Sequence, residues 1–414
     1  MNPVLNWIDA AVKAARPRAV GRLLRCFGSV ELAEEAFQEA CLKALEKWPS
    51  MGPPRNPTAW LVMIGRNAGI DRIRRGVREA RLAAKIAAPE HDVEDALVEA
   101  LDDARYGDDI LRLLFICCHR DLPSTQQIAL ALRVVSGLSV AEIARAFLVS
   151  EAAMEQRITR AKRIVGQADV RFETPSPSAR GERLATVSAM VYLIFNEGYA
   201  ASAREATHRQ PLCVEAIRLG RLLLDLFPDE PELLGLVALM LLHHSRAAAR
   251  FDAAGTIVSL EDQDRGLWDR DAMAEGTALT DRAFRLRRPG PYQLQAAIAA
   301  LHARAPTFAQ TDWVQIEQLY RALAKIQPTP VIALNHAVAV SRAGEPEEAL
   351  ALVEPLADAL ANYFYYHAVR GHLLERLDRK AEARRAYQAS LGMAASAAEA
   401  TLIRTYIERL ERDR

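Results

Sequence analysis

The chain has 414 residues, half of them hydrophobic, and its 53 basic and 53 acidic side chains give a formal net charge of zero. That length exceeds one ordinary domain and allows several cores, while the balanced total excludes a uniformly basic or acidic chain, so partners must be read segment by segment. Ala and Leu are abundant and aromatic residues make up only 6%, which favours an all-α fold.

The five cysteines are Cys26, Cys41, Cys117, Cys118 and Cys213. They form no CxxC pair and no Cys/His ligand spacing, so neither zinc nor any other metal or cofactor is expected. Their scatter fits reduced, buried thiols of a cytoplasmic protein, with adjacent Cys117 and Cys118 read as core rather than as a redox pair. The opening MNPVLNWIDA carries Asp9 and lacks an unbroken apolar run, so it is not read as a signal peptide. The most apolar stretch, Leu233 to Leu242, is too short to span a bilayer, and no membrane partner is expected.

Residues 1–88 read as helices that end in a basic stretch. Within AEEAFQEACLKALEKW (Ala33–Trp48), Phe37, Ala40, Ala44 and Trp48 recur at helical spacing and predict a core stripe. Glu35, Glu39, Leu42 and Glu46 share another face, which suits either solvent or a docked partner helix. WPSMGPPRNP then reads as a rigid loop, and Asn56 before Pro57 predicts an N-cap followed by proline at the first helical position. The next helix, TAWLVMIGRNAGIDRIRRGVREAR, is basic toward its end, with seven basic and two acidic residues between Arg66 and Lys85. Late cations suit the helix dipole. Beside Trp60 and Asn67 they also suit phosphate tracking, base stacking and hydrogen bonding to a base edge.

Residues 89–107 form an acidic connector whose only basic side chain is Arg105. A second helical block occupies 108–168. In LSVAEIARAFLVSEAAMEQRITRAKRIV (Leu138–Val165), Ser139 and Glu142 form a capping box, and Ile143 and Phe147 the buried stripe of a first helix. Leu148 and Val149 make a short turn, with Leu148 where many such turns place Gly, and Ser150 caps a second helix. Met154, Ile158, Ala161 and Val165 are its core stripe. Glu151, Glu155, Gln156, Thr159, Arg160, Lys162 and Arg163 are left outward, with Arg157 on the flank. This is the pattern of a helix-turn-helix with a basic second helix; a plain helical hairpin would share part of it.

ETPSPSARGE lies in the clearest linker, residues 169–182. A helical extension covers 183–290, and paired hairpins cover 291–414. Leu334–Ala357 aligns with Val369–Gly392 at an offset of 34 or 35 residues, matching Ala337 with Gly371, Val340 with Leu374, Gly344 with Asp378 and Ala349 with Ala383. Small residues at such positions let two helices approach closely, a tetratricopeptide-type arrangement that implies stacking. Tyr292–Ala303 and Asp312–Lys325 read as a third, degenerate hairpin. Tyr292, Gln293, Asp312 and Trp313 are candidates for a regulatory contact, against the plainer reading of hairpin filling. Asn196, Glu197 and Tyr199 read as buried hydrogen-bonding residues, and His243 and His244 as structural. Glu261, Asp262, Asp264 and Asp269 read as an acidic loop or an ion-pair network with Arg265 and Arg270 rather than a metal site.

Together the two N-terminal blocks resemble the sigma-70 family, specifically its extracytoplasmic-function (ECF) members. AEEAFQEACLKALEKW resembles region 2.2, AWLVMIGRNAGIDRIRR resembles regions 2.3 and 2.4, and the helix-turn-helix resembles region 4.2. LIFNEGYAAS, LEDQDRGLWDR and RPGPYQLQAAIAALHA resemble the ECF group with a long tetratricopeptide-like C-terminal extension. The resemblance implies an all-α chain that binds bacterial core RNA polymerase and promoter DNA. It implies that Glu35, Gln38 and Glu39 dock on the polymerase. Trp60 and Asn67 would hold the −10 strand, Arg72, Arg74 and Arg75 would steer its backbone, and Pro49–Thr58 would shape the pocket for a flipped base. Ser150, Glu151, Ala153, Gln156 and Arg157 would meet the −35 element, with Arg160, Lys162 and Arg163 on phosphates. Glu155 stands where many relatives have Lys, and a carboxylate there suits a cytosine amino group. The acidic connector would thread the polymerase between the two domains.

The size of the extension and its covalent linkage suggest regulation of the sigma part in cis, through an intramolecular contact. A self-sufficient helix-turn-helix regulator with a helical-repeat sensor is the rival reading, but it needs neither the acidic 2.2-like helix nor the Trp60/Asn67 helix. An enzyme is not expected, because no nucleophile–base constellation or phosphate-binding Gly loop is present.

Overall fold

The computed structural model of the protein describes residues 3–52, 54–80, 103–167, 177–199, 203–253, 255–394 and 397–412. Among these the chain forms eighteen α-helices, and the only β pairing is a bridge between Phe251 and Ile257. The acidic connector and the Pro/Ser break lie largely outside the described residues. By its contacts the chain divides into two units, residues 1–194 with 225–227, and residues 195–224 with 228–414.

In the first unit, α1 (Pro3–Phe27), α2 (Val30–Met51) and α3 (Pro57–Ala80) pack on one another. The stripe on α2 is buried as its spacing predicts, with Phe37, Ala40, Ala44 and Trp48 each at most 1% exposed. Burying a large apolar side chain contributes roughly 1.5–3 kcal/mol, so this stripe fixes which face of α2 is left outward. On α3, Gly65 is required by close approach: a Cβ there would stand 3.0 Å from the Ala36 carbonyl oxygen. Helix α2 runs farther than expected and takes Pro49 to Met51 from the predicted loop. Pro49 sits in the last turn, where only one carbonyl loses its donor, and Gly52 at φ 75° ends the helix with its N–H on the Trp48 carbonyl. The N-cap expected at Asn56 is present, its side chain accepting from the Ala59 amide at 3.0 Å.

The same unit continues with α4 (Asp103–Cys117), α5 (Ser124–Ala131) with a π turn to Ser136, α6 (Val140–Ala146), α7 (Glu151–Gln167) and the first part of α8 (Pro177–Tyr199). Cys117 and Cys118 are buried on α4 and its end, and the Cys118 thiol donates to the Leu114 carbonyl. Burial pushes both thiols up, Cys118 to about 12, so they stay protonated.

The second unit holds the end of α8, α9 (Ala203–Leu226) up to Leu224, α10 (Pro231–His244), α11 (Arg270–Arg285), α12 (Pro291–Arg304), α13 (Trp313–Ile326), α14 (Pro330–Ala343), α15 (Pro346–Val353), α16 (Phe364–Arg376), α17 (Lys380–Leu391) and α18 (Ala397–Arg412). The 34-residue offset is visible in the backbone. Gly344 and Asp378, the matched turn residues, both take positive φ, 120° and 56°. Matched Ala337 and Gly371, and Ala349 and Ala383, are all buried where α14 meets α15 and α16 meets α17. No helix of the described residues is long and apolar enough to cross a membrane.

Candidate nucleic-acid interface

The core stripe of α2 leaves Glu35, Gln38 and Glu39 exposed on one side of the helix. Leu42 and Leu45 lie on the same helix with 55% and 47% of their surface in solvent. An acidic row with exposed leucines suits a partner helix better than solvent alone. Glu35 also pairs with Arg72 of α3 at 3.1 Å, with both side chains about half exposed. An expected polymerase contact and an expected DNA-backbone contact therefore sit side by side.

On α3, Trp60, Asn67 and Arg74 recur every seven residues and so share one face. Asn67 and Arg74 are exposed, while Trp60 is half-buried with its ring edge-on to Trp48 at 5.3 Å. Trp48 in turn stacks on Trp7 at 5.8 Å. The indole of Trp60 thus packs against the bundle and still reaches its surface. Arg75 belongs to α3, but its side chain lies outside the described residues.

The helix-turn-helix is built by local signals. Ser139 accepts from the Glu142 amide at 3.1 Å, and the Glu142 carboxylate accepts from the Ser139 amide at 2.7 Å, completing the capping box. Those bonds hold the Glu142 carboxyl below its usual range. Leu148 takes φ 53°, so the turn adopts the left-handed conformation despite lacking glycine. Ser150 caps α7 by accepting from the Ala153 amide at 3.3 Å. Met154, Ile158, Ala161 and Val165 are buried as expected. The opposite face forms an open groove of about 680 Å³ whose lining includes Ala153, Glu155, Gln156, Arg157, Arg160 and Arg163. Gln126 of α5 lines it too, a residue the sequence pattern of α7 alone did not point to. Glu151 is exposed in the first turn, where the helix dipole favours an acid.

Lys162 is placed differently from the outward position expected of it. It stands one turn after buried Ile158 on the inner flank of α7, and its ammonium pairs with Glu34 of α2. Glu34 is 2% exposed and also accepts from Arg16 of α1 at 3.1 Å. Arg16 further donates to the Val134 and Arg133 carbonyls at 3.0 and 3.1 Å. Nearby on α1, Arg25 donates to Asp109 of α4 at 2.7 Å. Burial pushes the Asp109 carboxyl up even beside that guanidinium. The three-helix bundle and the helix-turn-helix block are therefore joined by buried ion pairs. The sequence carried one signal for this: Glu34 is a charge three residues before Phe37, on the core stripe.

The four regulatory candidates do not converge. Gln293 is buried at the start of α12, where the Glu232 carboxylate accepts from the Tyr292 and Gln293 amides at 3.1 and 3.2 Å. Asp312 caps α13, and Trp313 packs edge-on to His302 near the other end of α12 at 5.1 Å. Of the two readings of the acidic segment, a loop or an ion-pair network with Arg265 and Arg270, the network is absent among the described residues. Arg265 donates instead to the His302 and Ala305 carbonyls at the C-terminal end of α12, Glu261 pairs with Arg342, and Asp264 and Asp269 cap helix starts. Carbonyls at a helix end offer a cation concentrated negative charge. Tyr199 is hydrogen-bonded as expected, its hydroxyl accepting from Arg246 at 2.8 Å. His243 is half-buried and held neutral, pulled down to about 3 mainly by loss of solvation and also by neighbouring cations.

Comparison with known proteins agrees with this geometry. The model of Sigma-70 region 2 matches residues 11–79, and that of Sigma-70 region 4 matches residues 112–165. A family of unknown function, DUF6596, matches residues 183–284. The probable RNA polymerase sigma-C factor of Mycobacterium bovis and the ECF RNA polymerase sigma factor SigC of Mycobacterium tuberculosis are each 28% identical over 155 residues, 37% of this chain and 79% of theirs. An uncharacterized protein of Rhizobium meliloti is 59% identical over 406 residues, 98% of this chain and 96% of its own. The chain belongs to one family with this full-length relative, and its region 2 and region 4 modules make it an RNA polymerase sigma factor of the sigma-70 type.

Proposed function

We propose that the protein is an ECF-type sigma factor that docks on core polymerase through Glu35, Gln38 and Glu39. In this reading Trp60, Asn67, Arg72, Arg74 and Arg75 hold the −10 element, and α7 reads the −35 element. The observation that carries it is the open face of α7, where Gln156, Arg157, Arg160 and Arg163 line one groove above a fully buried stripe. Gln156 and Arg157 supply base-edge donors, Arg160 and Arg163 suit phosphates, and Glu155 accepts from a cytosine amino group. Lys162 reaches a phosphate only after leaving Glu34.

The buried pairs give this reading a second step. Promoter elements centred about 25 base pairs apart are separated by roughly 85 Å at ~3.4 Å per base pair. In the structure a residue of α2 and a residue of α7 touch. The two modules must part before both elements are engaged, so the described form is a resting one that core polymerase opens. The C-terminal hairpins, similar to tetratricopeptide repeats, regulate this step in cis through contact with the sigma modules, in place of a separate inhibitor.

Run-off transcription with core polymerase, on the promoter of the protein's own gene, tests the reading. The full-length protein is expected to start transcripts, and Arg157→Ala or Gln156→Ala to lower initiation at least about fivefold, since a base contact contributes ~1–3 kcal/mol. Tight operator binding without polymerase would instead favour the self-sufficient regulator. Truncations after Pro175 and after Ile194 bracket the part of α8 that belongs to the first unit; activity equal to the full chain would rule out regulation in cis.

A further inference from the structure

The C-terminal unit contains a cavity of about 720 Å³ walled by α14, α16 and α18 and lined further by the 259–262 loop, Phe308 and Trp313. That volume lies within the ~300–1,000 Å³ typical of small-molecule sites. The lining is mostly apolar: Leu373 and Ile403 are fully buried, and Trp313, Tyr365 and Tyr406 add aromatic faces.

Its cations are not equally satisfied. Arg409 makes two bonds to Glu375 at 2.8 and 2.9 Å, and Arg342 pairs with Glu261 at 2.8 Å. Arg376 donates from one nitrogen to the Ser341 carbonyl and hydroxyl, both at 2.6 Å, and among the described residues no carboxylate lies within 4.0 Å of it. Arg376 is exposed, and its remaining N–H groups meet solvent and no acceptor among the described residues. One turn earlier on α16, His372 lines the same cavity, and its buried Nε2 has no hydrogen-bond partner among the described residues. Burial, with Arg342, Arg376 and Arg409 nearby against Glu375 alone, pulls this imidazole down to about 4. It is neutral at pH 7 and able to carry a proton on Nε2.

We propose that this cavity binds a small organic acid, its carboxylate accepting from Arg376 and from His372 Nε2–H and its planar apolar body lying against the aromatic wall. A buried ring nitrogen without a partner is unfavourable, and an anionic acceptor beside the Arg376 guanidinium supplies the missing bond. A free acid fits better than a peptide. The unspent donors lie within one turn of α16, enough for one carboxylate, and no Asn or Gln lines the cavity to hold an extended backbone. The site stands independently of whether the C-terminal unit regulates the sigma modules.

Calorimetry on the full-length protein tests it with two near-isosteric probes, 1-naphthaleneacetate and its neutral amide. The acid is expected to bind with Kd below about 1 mM and the amide at least tenfold more weakly. Arg376→Gln should weaken the acid at least tenfold. Val338→Phe, which narrows the cavity without touching a charge, should weaken acid and amide alike, and an unchanged thermal midpoint shows that each variant folds. The proposal is overturned if acid and amide bind equally, if neither binds, or if Arg376→Gln leaves the acid unaffected. It is also overturned if a capped pentapeptide with a free C-terminal carboxylate binds more tightly than the acid.

Discussion

Glu34 and Glu35 are neighbours in sequence with opposite environments. Glu34 is buried between Arg16 and Lys162, whereas Glu35 meets Arg72 at the surface. Removing one partner of a buried pair costs ~3–5 kcal/mol, while an exposed pair contributes ~0–1 kcal/mol. Glu34→Gln is therefore expected to lower the urea-unfolding stability of the N-terminal unit by about 3 kcal/mol, and Glu35→Gln by less than 1 kcal/mol; equal effects would contradict the assignment. The sequence showed Glu34 to be misplaced on an apolar stripe, yet its partners lie 18 and 128 residues away and could not be read locally. Leu148 offers a second test. A left-handed residue other than glycine costs ~1–2 kcal/mol, and this side chain is 48% exposed. Leu148→Gly should thus leave the thermal midpoint unchanged or raise it, whereas a marked fall would show that the Leu148 side chain contributes more than its exposure suggests.

At the scale of elements, legibility follows how local the determining contacts are. The helix-turn-helix was readable because caps at Ser139 and Ser150 and the stripe from Met154 to Val165 span few residues. The pairs α14–α15 and α16–α17 carry the small residues matched at the 34-residue offset, a local pattern of the same kind. The partners of Arg265 were not readable, because they are carbonyls at the far end of α12, about 40 residues on. The C-terminal unit also carries a pH signature. His302 and His372 are pulled down to about 4 and His243 to about 3. Folded values below the unfolded 6.5 mean that the unfolded chain binds more protons between about 4 and 6.5. Stability is therefore complete above pH 6.5 and is lost as pH falls through that window. Each histidine is expected to cost about 2 kcal/mol at pH 5. Thermal scans of the full-length protein should show the C-terminal transition falling between pH 7.5 and pH 5, with a smaller fall in His302→Gln; a pH-independent transition would contradict buried neutral histidines.

For the whole molecule, the fold class and the two sigma modules were legible in the residues. The closed arrangement of the N-terminal unit was not, because it rests on Arg16, Arg25, Glu34, Asp109 and Lys162 meeting across long separations. A sigma factor held shut by these pairs is expected to open on core polymerase. Fluorophores on Ser50→Cys at the end of α2 and Gly166→Cys at the end of α7, both exposed positions, report that separation in the full-length protein once the native thiols are masked. Adding core polymerase and promoter DNA should turn efficient energy transfer into transfer close to zero, with Glu34→Gln lowering it even without polymerase. Undiminished transfer in a complex that is making transcripts would contradict the account.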